Sequence, residues 1–341
     1  MHATIVATFK GALVQAQNVV IVSPATAREN NGNWQTASRW ARFLRGRHRV
    51  EIVPAWNAGM PAPALLIALH ARRSAASLAA FAQAHPRRAS VLVLTGTDLY
   101  RDIRTDASAR ASLEMAGALV LLQDAGLRAL APALRAKASV IYQSAPALRA
   151  HVHGAKRRHY DICMVGHLRA EKDPLTFIRA SALVRQPMAR MLHIGGALDP
   201  ALGAQAAAAQ QANPRYHWLG ALARAATRQR LKRSHAMVIA SLMEGGANVI
   251  IEAVTSAVPV LASDIDGNRG MLGDDYAGYF APGDAQALAR LIERSIDDTA
   301  FYAQLRAQCA QRAALFAPAA EQAALRHLVD NLLIAHAAPP H

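Results

Sequence analysis

The sequence predicts an α/β protein made of two doubly wound parallel sheets in series. Three observations carry that expectation. Short runs of Val, Ile and Leu recur along the chain, as strands buried on both faces require. Amphipathic stretches rich in Ala and Arg, good helix formers, separate them. The pattern then restarts after a polar, basic stretch at 151–159, and 341 residues give room for two domains of ordinary size.

In order, residues 1–17 read as a dispensable extension. Expected strands of the first domain (18–150) are VVIVS (19–23), VEIVPA (50–55), ALLIAL (64–69), SVLVLT (90–95), ALVLLQ (118–123) and SVIYQ (139–143), with helices over 34–45 and 74–84. The linker is 151–159. In the second domain (160–315) the strands are DICMVG (161–166), RMLHIG (190–195), YHWLG (216–220), AMVIAS (236–241), VPVLAS (258–263) and GYFAP (278–282). A long helical tail over 284–315, a break at Pro318 and a last helix within 316–335, packing back towards the first domain, complete the chain. Sheets of this kind bind ligands beyond the carboxyl ends of their strands, so the site is expected in the cleft between the domains.

Composition excludes several classes. Hydrophobic residues make up 52% and charged residues 18%, which rules out disorder, collagen and coiled coil. The net charge of +15 suggests nucleic acid at first sight, but only five of the 38 basic residues are lysines and the arginines are scattered, so no nucleic-acid partner is expected. Cys163 and Cys309 are far apart in sequence, with no metal-ligand spacing, which fits a reducing cytoplasm. No apolar run approaches a membrane span and no secretory signal is evident. Stable membrane insertion is therefore not expected, and at most a weak homo-oligomer.

The most informative segment is SLMEGGANVIIEAVTSAVPVLASDIDGNRGMLG, 241–273. Glu244 with Gly245 and Gly246 forms a loop, Asn248 opens a helix and Glu252 lies within it. Unpaired amides at the helix start suit a diphosphate, the glycines suit close approach of a ligand, and carboxylates accept from sugar hydroxyls. The second segment is VGHLRAEKD, 165–173.

Together these segments resemble the donor-binding signature of GT-B glycosyltransferases of the family 4 type. The resemblance implies that Glu244 contacts the transferred sugar, Glu252 the ribose and Lys172 the diphosphate, with Gly220 also on the donor side. His167 stands where the family has an arginine, and Arg169 could supply that charge. A buried or pocket-lining role for His167 is the alternative. Asp264 and Asp266 superficially form a DxD metal motif, yet their loop is a sugar- and phosphate-facing glycine segment in GT-B enzymes. No obligatory metal and no cofactor are expected, and UDP-sugar is a substrate.

GNWQTASRWARFL (32–44), LHARRSAAS (69–77), LTGTDLYRDI (94–103) and VIYQSA (140–145) further resemble the putative selenosugar synthases of selenoneine biosynthesis, over 18 to about 335. That likeness implies UDP-N-acetylglucosamine and selenophosphate as substrates. Selenophosphate is an anionic, soft nucleophile that needs no general base, only an anion pocket. Gly32, Asn33, Arg72, Arg73, Thr95, Gly96 and Thr97 could form it. Arg72 and Arg73 read equally as surface charges, Asp98 as an acceptor-site residue or an N-cap, and His70 as a ligand to sugar or acceptor or a structural histidine.

Overall fold

The computed structural model describes residues 15–28, 31–152 and 157–337. Most of the expected extension (1–14) and the middle of the linker (153–156, with His153 and Lys156) lie outside the described residues. The first domain holds β1 (Asn18–Val22), α1 (Gly32–Leu44), β2 (Arg49–Val53), β3 (Leu65–Leu69), α2 (Ala75–Ala84), β4 (Ala89–Leu94), α3 (Ile103–Thr105), α4 (Ala107–Met115), β5 (Ala118–Leu121), α5 (Pro132–Arg135) and β6 (Ala138–Val140). Its sheet runs β2-β1-β3-β4-β5-β6, parallel throughout. Every residue of β3, β4 and β5 is buried, which is why these strands read as unbroken apolar runs.

The second domain holds β7 (Tyr160–Val165), α6 (Pro174–Leu183), β8 (Ala189–Ile194), α7 (Pro200–Ala212), β9 (Tyr216–Trp218), α8 (Arg224–Arg233), β10 (Ala236–Ile239), α9 (Asn248–Val254), β11 (Val260–Ser263), α10 (Asp266–Leu272), β12 (Tyr279–Phe280), α11 (Ala285–Asp297) and α12 (Thr299–Arg312); the last helix, α13 (Pro318–Ala337), returns to the first domain. This sheet runs β12-β11-β10-β7-β8-β9, again all parallel. Strand order reverses between β1 and β3 in one sheet and between β7 and β10 in the other. At such switch points neighbouring loops leave in opposite directions and open a crevice.

The expected single tail over 284–315 is two helices. Asp298 leaves helical geometry and its carboxylate caps α12 by accepting from the Phe301 amide at 2.9 Å. Pro318, expected as a break, opens α13 as its first residue, where a missing N–H costs nothing. Leu325, Val329 and Leu333, spaced four residues apart, bury one face of α13 in the first domain's core beside Trp40 and Val91. Each such burial contributes about 1.5–3 kcal/mol.

A polar cluster pins that helix. The buried Glu321 carboxylate accepts from Arg39 Nε (2.7 Å), Trp40 Nε1 (2.8 Å) and Ser144 Oγ (2.5 Å). The linker is also less solvated than its composition suggested. Arg157 Nη1 lies 3.1 Å from His235 Nδ1 and its guanidinium stacks over Tyr160. Among the described residues no helix is long and apolar enough to cross a membrane.

Candidate active site

The loops after β7 and β10 flank the crevice of the second sheet. Leu242 N donates to Glu171 O (2.9 Å), which ties the two loops together and brings Lys172 to Glu244. The Lys172 ammonium donates directly to the Glu244 carboxylate. Both are mostly withdrawn from solvent, with side chains 17% and 10% exposed. The site thus holds a cation and a carboxylate that neutralise each other.

The loop after β7 is itself supported from below. His193, fully buried, lies 3.2 Å by Nε2 from the Gly166 carbonyl and 2.8 Å by Nδ1 from Tyr216 OH. Burial depresses its pKa to about 4, so the neutral ring serves as a strut. A Cβ at Gly195 would sit 1.9 Å from Gly166 O, so only glycine lets β8 end there.

Glu252 is buried on α9 and its Oε1 accepts from Arg224 Nε (3.2 Å) and Nη2 (3.1 Å). Asn248 opens α9 without a side-chain cap from Ala247, so no capping side chain takes the first amides of the helix. Across the gap stands the start of α1: the nearest atom to a Cβ placed on Gly32 is Asn248 Nδ2, at 3.9 Å. Asn33 lies in the first turn of α1, whose cap is Asn31.

The glycine pair serves a different purpose from the one expected. A Cβ on Gly245 would lie 2.4 Å from the Thr95 carbonyl, and one on Gly96, at φ +138°, would lie 2.8 Å from Gly245 N. These glycines let the two domains' backbones touch. Gly246 packs against Leu122 of the first domain in the same way. Gly245→Ala is therefore expected to wedge the domains apart and lower kcat by about 100-fold, the scale of a misplacement of about 1 Å, without unfolding either core. Small-angle scattering should show a larger radius of gyration, and unchanged kcat and radius would contradict the packing role.

Several acceptor-side expectations need correction. Asp98 is fully buried and its carboxylate accepts from the amides of Ala71 (2.9 Å), Thr95 (2.9 Å) and Gly96 (2.8 Å), so it knits the loops after β3 and β4 instead of meeting an acceptor. His70 is 3% exposed; Nδ1 accepts from Arg73 N (3.3 Å) and Nε2 lies 3.2 Å from Thr97 Oγ1. Its φ of 75° is strained for a non-glycine residue, and burial lowers its pKa, which keeps it neutral. It is a loop brace. Arg72 pairs with Asp102 (3.0 Å), while Arg73 is exposed.

On the donor side His167 is exposed, not buried, and Nδ1 accepts from Gly196 N at 3.0 Å. Gly220, at φ +67°, accepts from Gly195 N, so His167, Gly195–Gly196 and Gly220 form a cluster beside the crevice at the loops after β7, β8 and β9. Arg169 is exposed at the head of the turn carrying Lys172. Asp264 is held by Arg269 and Asp266 by Arg128 (3.2 Å). Among the described residues no cluster of three or more His, Cys, Asp or Glu has a metal-binding arrangement.

Sequence reasoning missed Arg224, Gln35, Gln123 and Gln143. Gln143, from the crossover after β6, accepts from Thr36 Oγ1 and donates to Gly246 O (3.2 Å) in the orientation that satisfies both ends of its amide. Gly270 of α10 packs onto the buried Gln123. A cavity of about 710 Å³ lies away from all of this, at the far end of α9, lined by Ala145, Leu148, Val254, Ala307 and Phe316. Thr255, Arg306 and Cys309 also line it, and neither Lys172 nor Glu244 does.

Comparison with known proteins agrees with this architecture. Residues 150–316, just under half of the chain, match the family described as glycosyl transferases group 1. The whole chain has the GT-B fold. It superposes on HepE of Anabaena, solved with UDP and glucose, at a TM-score of 0.73 and 17% identity, over 92% of this chain and 100% of that one. Sucrose-phosphate synthase of Thermosynechococcus elongatus gives 0.74 and 16%, over 94% and 100%. The pneumococcal O-GlcNAc transferase GtfA, solved with UDP and GlcNAc, gives 0.65 and 18%, over 79% of this chain and 57% of that one. No protein of curated function matches the chain in sequence.

Proposed function

We propose that the protein is a UDP-sugar-dependent glycosyltransferase that transfers N-acetylglucosamine from UDP-N-acetylglucosamine to selenophosphate. The donor half rests on the Lys172–Glu244 pair and Glu252, gathered at the switch point of the domain that matches the group 1 family. Structural neighbours crystallised with UDP, UDP-glucose, or UDP and GlcNAc support a uridine nucleotide there. Lys172, with Arg169 adjacent, meets the charge that develops on the departing diphosphate, and Glu244 and Glu252 accept from sugar and ribose hydroxyls.

The observation that favours a selenium over an oxygen nucleophile is the state of the first domain's bases. An oxygen acceptor needs a group to take its proton, with His70 and Asp98 as the candidates. Both are committed within the domain, and Asp102 is held by Arg72 and Arg101. Selenophosphate is already anionic. Its selenium forms the bond to the anomeric carbon as the carbon–oxygen bond to UDP breaks, the electron pair leaves on UDP, and water then removes the phosphoryl group to free a 1-seleno-sugar. The donor diphosphate is met by side-chain cations without an obligatory metal, since the carboxylates of the Asp264-Ile265-Asp266 segment are engaged by arginines.

Anaerobic incubation with UDP-N-acetylglucosamine and fresh selenophosphate, followed by mass spectrometry for the selenium isotope pattern, tests the proposal. A selenium-containing sugar dependent on both substrates is expected. UDP release only with sugar or lipid hydroxyl acceptors would replace the nucleophile and keep the donor.

A further inference from the structure

Arg224 is the first residue of α8, on an exposed basic helix, yet its guanidinium is committed on both sides. Nε and Nη2 close on one oxygen of Glu252 at 3.2 and 3.1 Å, while Nη1 donates to Gln35 Oε1 on α1 of the opposite domain. The Arg224 side chain is 43% exposed and that of Glu252 9%, so the arginine forms the cleft-side wall of the carboxylate. Arg228, four residues on, also faces Glu252 electrostatically and anchors α8 to the crossover by donating to Pro146 O at 2.7 Å.

We propose that Arg224 is a positioning residue for the donor nucleotide, holding the Glu252 carboxylate in place for the ribose only while Gln35 of the other domain holds Arg224. This inference rests on the nucleotide-sugar reading of the site. A guanidinium presents a rigid fork of donors, so fixing Nη1 on Gln35 fixes the orientation in which Nε and Nη2 meet Glu252. Closure of the cleft and recognition of the ribose then become one event, with the second carboxylate oxygen directed to the ligand. Lysine cannot replace it, because one ammonium at the end of a flexible stem cannot keep both partners in a fixed geometry.

The test is calorimetric titration of UDP into the full chain and its variants, with melting temperatures measured alongside. Arg224→Ala is expected to weaken UDP binding about tenfold or more, the scale for losing a hydrogen bond to a charged group, and Gln35→Ala about threefold. In the Arg224→Ala and Arg224→Lys backgrounds, Gln35→Ala should weaken UDP binding less than it does in the wild type, because the part of its effect that runs through Arg224 is already lost. Melting temperatures should stay near that of the wild type, which separates positioning from general damage. Wild-type UDP binding that Arg224→Ala leaves intact, or effects of the two residues that simply add, would overturn this inference alone. No UDP binding by the wild type would overturn the nucleotide-sugar reading and this inference with it.

Discussion

Lys172→Ala is expected to lower kcat/KM for the nucleotide sugar by about 1,000-fold while the protein stays folded, the scale of removing one preorganised charge from a transition state. The ammonium pairs with the Glu244 carboxylate in the crevice. Its Glu244 partner tells what the variant leaves behind: a carboxylate with no neutralising neighbour at the position where a diphosphate must arrive. Repulsion of the donor therefore adds to the lost stabilisation, and KM should rise as well as kcat fall. Lys172→Arg keeps the charge and should recover part of the rate, whereas Lys172→Met should resemble Ala. Initial-rate measurements of UDP release check this, with wild-type rates in Lys172→Ala as the outcome that removes the residue from the mechanism.

The largest stability effect is expected at Glu321, which lies 282 residues from its partner Arg39 in sequence. With side chains 0% and 6% exposed, neither can recover water when the other is lost. Breaking a buried pair of this kind costs about 3–5 kcal/mol. Glu321→Ala should lower the first calorimetric transition by about 6–20 °C, on the scale of about 2–4 °C per kcal/mol for a domain of this size. Glu321→Gln keeps acceptors for Arg39 and Trp40 and should lose less. Replacing both partners, Arg39→Met with Glu321→Met, should recover much of the loss, because no charge is left stranded. A shift of less than about 2 °C in Glu321→Ala would mean that the cluster is not the clasp between α13 and the first domain.

What the sequence made legible follows from where its constraints are local. Fully buried parallel strands must be apolar at every position, so runs such as ALLIAL and SVLVLT announced themselves. Lys172, Glu244 and Glu252 stood in recognisable spacing because each is tied to a strand end or a helix start. The break at Asp298 was readable from Asp-Asp-Thr, since aspartate at that position caps the helix that follows. The apolar periodicity continues on either side and masks it.

The rest depends on contacts between distant segments. Asp98 resembles an ordinary cap until Ala71, 27 residues away, proves to be one of its donors. Gly245 and Gly96 read as ligand-facing glycines, because nothing local says that each lies against the other. Arg224 sits in RAATRQRLKR, which has the composition of a solvated face, and only the fold turns its first residue towards Glu252 and Gln35. With 33 arginines among the 38 basic residues, the few that make specific contacts are hidden among the rest.

The most direct test of the account is a crystal structure of the protein with UDP-N-acetylglucosamine. It should show the diphosphate between Lys172 and the amides at the start of α9, with the Lys172–Glu244 contact opened, Glu244 on the sugar and Glu252 on the ribose. A nucleotide bound elsewhere, or a cleft in which Lys172 still holds Glu244 at saturating donor, would contradict it.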